Sequence, residues 1–286
     1  MRQAYRFGNL QDFLNLYYQG MSVLVTEQDF YDLAWAYFER AYADNVRHAE
    51  MFFDPQAHTS RGVAFATVLD GLSRAIADAG RKLGVKASLI MCFLRHLDEA
   101  DAERTLDCAL PFKDRIVGVG LDSSERGNPP SKFKRVFDRA REAGFFLTAH
   151  AGEEGPPSYV WEALDVLGVA RIDHGVRAIE DPDIVGILVD RQIPLGVCPT
   201  SNLTLGVYRA IEEHPIEQLR RAGVAVSINT DDPALLATSL PREYALCRDA
   251  FAWSDADVRS VARTSIDASF ADEDVKTRLH HALSRW

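Results

Sequence analysis

Apolar residues set the pattern of the chain. Phe13, Leu14, Tyr17 and Tyr18, then Phe30, Leu33, Ala34, Tyr37 and Phe38, recur at helical spacing in two blocks over residues 10–43, which predicts a helical entry. Beyond it, short β-rich runs fall at 46–53, 85–93, 116–120, 145–150, 171–174, 193–198 and 224–229. Amphipathic stretches lie between them, at 63–83, 133–143, 160–167 and 184–190. Asp181-Pro182 reads as a helix start, because proline loses nothing at the first helical position and the aspartate can cap free amides.

Strand–helix alternation of this kind implies a parallel sheet, either doubly wound or closed into a barrel. The seven runs are one short of an eight-stranded barrel. No GxGxxG or GxxxxGK[ST] follows any of them, which removes the usual phosphate-binding reason for a doubly wound sheet. Polar residues gather instead just after the strand ends, where barrels place their chemistry.

The chain has 286 residues, 47% of them apolar and 26% charged, enough for one large core. A formal charge of −10 argues against a phosphate-tracking surface, so nucleic acid is not expected as a partner. Cys92, Cys108, Cys198 and Cys247 form no CxxC pair and read as reduced core residues. No apolar run reaches the roughly 20 residues that cross a bilayer, and residues 1–5 lack the build of a secretory leader, so no membrane partner is expected and the cytoplasm is the default compartment.

Three segments carry candidate chemistry. In Thr148-Ala149-His150-Ala151-Gly152-Glu153-Glu154-Gly155, a histidine ends a strand and a carboxylate follows three residues later. That spacing can set an imidazole at a metal and a proton-transfer group beside the reacting atom; a solvated loop leading into the next helix is the alternative. His174, in Arg171-Ile172-Asp173-His174-Gly175, taken singly fits a hydrogen-bonded structural histidine better than a functional one. Asp231 and Asp232 repel one another unless a cation or hydrogen bonds compensate, although an Asp-Pro turn before a helix also accounts for them. Taken together at successive strand ends, they favour a metal-assisted hydrolase.

The ordered set of these three segments, with Cys198-Pro199-Thr200-Ser201-Asn202 before the last, resembles the adenosine and adenine deaminase family of metal-dependent amidohydrolases. Gly120-Leu121-Asp122-Ser123-Ser124-Glu125 and Phe52-Phe53-Asp54-Pro55-Gln56 resemble its adenine deaminase branch. The resemblance implies a TIM-type (β/α)8 barrel of the metal-dependent hydrolase kind, one domain over residues 1–286, and one Zn2+ held by His150 and Asp231. It further implies that Glu153 protonates the purine ring, that His174 orients the hydroxide at the zinc, and that Asp232, Ser123 and Gly152 contact the substrate. The implied reaction turns adenine into hypoxanthine and ammonia. Adenosine is the alternative substrate, and a non-catalytic purine binder is the alternative of another class.

The family's first strand ends in a His-x-His pair that supplies two further zinc ligands, and no such pair stands in this sequence. The expectation is therefore a fragment, or a late start, beginning just inside the helical lead-in. Such a chain would lack the first barrel strand, with weak metal binding, severely reduced activity and exposed sheet edges.

Overall fold

The computed structural model describes residues 7–286; the stretch 1–5, read above as unlike a leader, lies outside the described residues. Helices α1 (Leu10–Met21) and α2 (Glu27–Ala43) lead into β1 (His48–Phe53), α3 (Pro55–Thr59), α4 (Phe65–Lys82), β2 (Lys86–Leu94) and α5 (Glu99–Ala109). Next come β3 (Gly118–Asp122), α6 (Lys134–Glu142), β4 (Phe146–Ala151), α7 (Pro157–Glu162), β5 (Arg171–His174), α8 (Pro182–Asp190), β6 (Leu195–Val197) and α9 (Pro199–Thr204). The order ends with α10 (Ile216–Arg221), β7 (Val226–Ile228), α11 (Leu240–Phe251), α12 (Asp255–Asp267) and α13 (Glu273–Leu283).

All seven strand-like runs become strands, paired in parallel in the order β1-β2-β3-β4-β5-β6-β7. Residues 89–94 of β2 are buried without alternation, as in a sheet covered on both faces. On α4 the apolar face Phe65, Val68, Leu69, Leu72, Ala75 and Ala79 is buried, at the spacing that makes one helical stripe. Asp181 caps α8 as its sequence suggests, accepting from the backbone N–H groups of Asp183 (3.0 Å) and Ile184 (3.4 Å), with Pro182 in the first turn.

The sheet is curled, and side chains show it. Glu50 of β1 reaches Arg171 of β5 at 2.6 Å, although three strands lie between them in the sheet. Such a contact requires both residues to point into the interior of a barrel. Arg171 also faces Asp173 at 3.4 Å, and Thr148 donates to Asp173 at 2.5 Å, so the charged interior is internally compensated. Glu50 further accepts from the backbone N–H of Phe270, whose ring lies under the Arg171 guanidinium at 4.5 Å and stacks on Phe146 at 4.7 Å. The link between α12 and α13 thereby plugs the N-terminal end of the barrel. Among the described residues, β1 and β7 are each paired on one side only.

Some expectations change. Cys92, Cys198 and Cys247 are buried and free, but Cys108 is exposed on α5, so it is a surface thiol and not a core residue. The stretch 160–167 is the end of α7 followed by a wider π turn over Ala163–Leu167 that stops at Gly168 in a left-handed conformation. Among the described residues, no helix is long and apolar enough to cross a membrane.

Candidate active site at the strand ends

His150 stands at the end of β4, in register with Asp173, and Ala151 is in register with His174 on β5. The two imidazole rings lie 5.3 Å apart. His150 Nδ1 meets the carbonyl of Leu121 at 3.2 Å, so its N–H points there and Nε2 keeps a free lone pair. Burial pushes this imidazole below its ordinary pKa, which keeps it neutral, the form a metal requires.

His174 is oriented by a buried chain. The Ile216 N–H donates to His214 Nδ1 (3.2 Å), so His214 Nε2–H faces Asn202 Oδ1 (3.1 Å). Asn202 Nδ2 in turn faces His174 Nδ1 (3.3 Å). Followed through, the chain assigns the proton of His174 to Nε2. That nitrogen lies 3.7 Å from Glu153 Oε2 and 3.8 Å from Asp231 Oδ2. Burial drives the His214 imidazole down to about 3, so it stays neutral in its place.

Glu153 is 4% exposed, and its Oε1 has no hydrogen-bond partner among the described residues. Burial first, then the charges of Asp231 and Glu125, raise its carboxyl well above the ordinary value. Asp231 accepts from Ser201 Oγ at 2.7 Å, and its side chain is 22% exposed. Burial and the neighbouring Asp231 raise Asp232 likewise, so the adjacent pair does not carry two full charges.

Ser123 receives the hydroxyl of Tyr18 at 2.8 Å and faces His96 Nδ1 at 2.8 Å. Ser123, His174 and Asp231 all hold left-handed backbone, with φ of 75°, 63° and 55°. Such geometry costs on the order of 1–3 kcal/mol per non-glycine residue, so the surrounding contacts must hold it. Gly152 is also left-handed (φ 68°), and a Cβ there would meet Val160 at 2.6 Å. Its N–H goes to Glu125 and its C=O receives the Arg177 N–H, so both backbone groups are engaged inside the protein.

The sequence reading assigned no role to several residues here. Tyr17 and Tyr18 look like the core face of an amphipathic helix, yet Tyr18 bonds Ser123, and burial first, then the charges of Asp54, Asp232 and Asp122, raise the pKa of the Tyr17 phenol. Asp54 and Asp122 form a second buried acidic pair, both pushed up by burial. Arg95, fully buried, donates to the His150 carbonyl at 2.6 Å. His214 lies in a stretch without strong periodicity, and only its contacts reveal its part. His96, just after β2, sits at the rim beside Ser123.

The donor set suits a borderline divalent cation in kind: an imidazole kept as an acceptor, and a carboxylate, Asp231, whose charge acts on it. Ligand atoms of His174, Cys198 and Asp231 lie within 4.8 Å of one another. The Cys198 thiol, however, faces the Gly196 carbonyl at 3.7 Å, and burial raises its pKa well above the ordinary value, which disfavours the thiolate that a metal binds.

Comparison with known proteins then decides the family. A profile of the adenosine deaminase family matches residues 1–286. The chain belongs to the adenosine deaminase family. Within that family it is 55% identical to an adenine deaminase of Acinetobacter baylyi, over 96% of this chain and 83% of the relative. It is 54% identical to an adenine deaminase of Pseudomonas putida KT2440, over 94% and 85%. The solved structure of an adenine deaminase from Arthrobacter aurescens superposes with a TM-score of 0.97 at 47% identity, covering all of this chain and 87% of that one. An amidohydrolase from Burkholderia ambifaria with bound Zn superposes at 0.87 and 30% identity, over 92% and 74%. The aminohydrolase reading and the barrel fold thus agree with the family.

Proposed function

We propose that the chain catalyses hydrolytic removal of the 6-amino group of adenine, giving hypoxanthine and ammonia, on one barrel domain over residues 1–286. The observation that carries this reading is the Glu153 carboxyl: buried, raised in pKa, one oxygen unpartnered, and 3.7 Å from His174. A carboxyl held in its acid form is suited to give a proton to the ring nitrogen beside the carbon under attack. His174, its Nε2–H fixed by the chain from His214, donates that hydrogen to the attacking water and so holds and orients it. Asp232, also raised, donates to the imidazole edge of the purine, and Ser123 contacts the pyrimidine side. Gly152 gives the turn room below the ring.

His150 and Asp231 would hold a zinc ion, two of the three protein ligands usual for a catalytic site. Bound there, zinc supplies Lewis acidity and brings the pKa of a water toward about 7. The substrate follows from the relatives, named adenine deaminases at 52–55% identity, and from the Leu121–Glu125 segment. The test is ultraviolet assay of adenine and adenosine with added zinc. Turnover of adenine alone is expected; preference for adenosine would replace the substrate assignment, and binding without turnover would reduce the chain to a purine binder.

A further inference from the structure

Glu125 lies outside the set of residues assigned above, yet it is 2% exposed and its carboxylate collects four consecutive backbone amides. Oε1 accepts from Gly152 (2.6 Å); Oε2 accepts from Glu153 (3.0 Å), Glu154 (2.7 Å) and Gly155 (2.7 Å). These are the amides of the turn that carries Glu153. The carbonyls of the same turn are held from the other side: Arg177 Nη1 donates to Glu154 (2.7 Å) and Gly155 (3.1 Å), and the Arg177 N–H to Gly152 (2.9 Å).

We infer that Glu125 is a positioning residue, which fixes the aim of the Glu153 carboxyl by gathering the amides of residues 152–155. The inference rests on Glu153 being the proton donor. A carboxylate is acceptor-only at both oxygens, which matches four inward-pointing donors; an amide side chain would turn an NH2 toward some of them. An aspartate is one methylene shorter and cannot span the turn from the same backbone position. The site also makes room for this contact. A Cβ at Gly155 would lie 2.6 Å from the Glu125 carboxyl carbon, so glycine there permits the approach. Glu153 itself spends one oxygen near His174 and leaves the other unpartnered, so its own side-chain bonds do not set its direction. The backbone turn does, and Glu125 holds the turn.

The test compares Glu125→Gln with Glu153→Gln in the full chain with added zinc. It reads amide exchange over residues 152–155, and kcat and KM for adenine. For Glu125→Gln, exchange at 152–155 should quicken at least about tenfold with the rest of the barrel still protected. Its kcat should fall by about 100-fold while KM stays within about threefold, the signature of a misplaced reacting group. Glu153→Gln should lose turnover with exchange at 152–155 unchanged. Unchanged exchange, a kcat within about threefold of wild type, or a loss of protection spread over the whole barrel in Glu125→Gln would overturn the inference. If Glu125→Gln does not fold, Gly155→Ala decides, since its Cβ pushes the carboxylate away and should give the same pair of changes. Turnover retained by Glu153→Gln sinks the proton-donor reading instead, and exchange at 152–155 then judges the anchoring alone; where the wild type itself turns over no adenine, exchange at 152–155 in Glu125→Gln decides the anchoring, and unchanged exchange overturns it.

Discussion

Burial does opposite things to two groups linked through His174. It raises the Glu153 carboxyl and lowers the His214 imidazole, so each is pushed toward its uncharged form. For His214 the sign of the pH effect can be worked out. The usual value of 6.5 falls to about 3 in the folded chain, so between these values the unfolded chain binds a proton that the folded chain refuses. Stability therefore falls as pH drops below about 6.5, by roughly 5 kcal/mol over the whole window, and gains nothing above it. Denaturant melts at stepped pH should show this slope, and His214→Gln should flatten it. Asn202→Ala breaks the link to His174 and is expected to lower kcat about 10- to 100-fold, by analogy with loss of partners that orient a catalytic imidazole, and to cost about 1–3 kcal/mol in the melt because the buried His214 Nε2–H loses its acceptor; full kcat would show that the chain does not set the tautomer. His150, Glu153, His174 and the aspartates stood out as candidates in the sequence because each falls at or just past a strand end in a motif. Glu125, Tyr18 and His214 were not, since their roles arise from contacts across 27 residues, 105 residues and a buried amide.

At the level of elements, strands were easier to read than helices. An unalternating apolar run such as 89–94 leaves few options, whereas α5, with charges on most of its surface, carries a weak stripe and went unpredicted, as did α11, α12 and α13. The π turn after α7 could not be read either, because its wider winding preserves the apolar spacing. Helix α1 is tied to the rim by Tyr18 on Ser123, the Leu10 N–H on Glu154 and Ser124 on Gln11. Its apolar side, Leu10, Phe13 and Leu14, packs on Leu205 and Leu236 in a cluster separate from the main core. Tyr18→Phe should cost about 1 kcal/mol and speed amide exchange in α1 before any other helix; exchange that rises everywhere at once would show that α1 is no separate unit. The bond between Glu50 and Arg171 spans the barrel, and Glu50→Ala leaves the buried guanidinium with one carboxylate, Asp173, besides the Ala268 carbonyl and the Phe270 ring. A loss of about 3–5 kcal/mol in denaturant unfolding is expected; a loss under about 1 kcal/mol would mean that the barrel interior rearranges.

For the whole molecule, metal binding and the open seam belong together. His150 and Asp231 sit on β4 and beyond β7, so one ion would bridge distant parts of the sheet. Zinc measured by elemental analysis after dialysis should be below one ion per chain, with His150→Ala lower still; full occupancy in that variant would mean that the ligands lie elsewhere. The plug between α12 and α13 has a consequence of another kind. Glu50 and Arg171 lie on β1 and β5, but the backbone N–H that completes their arrangement belongs to Phe270, which follows every strand in the chain order. A nascent chain on the ribosome therefore holds the paired strands with this ion pair only half satisfied until the link between α12 and α13 has emerged.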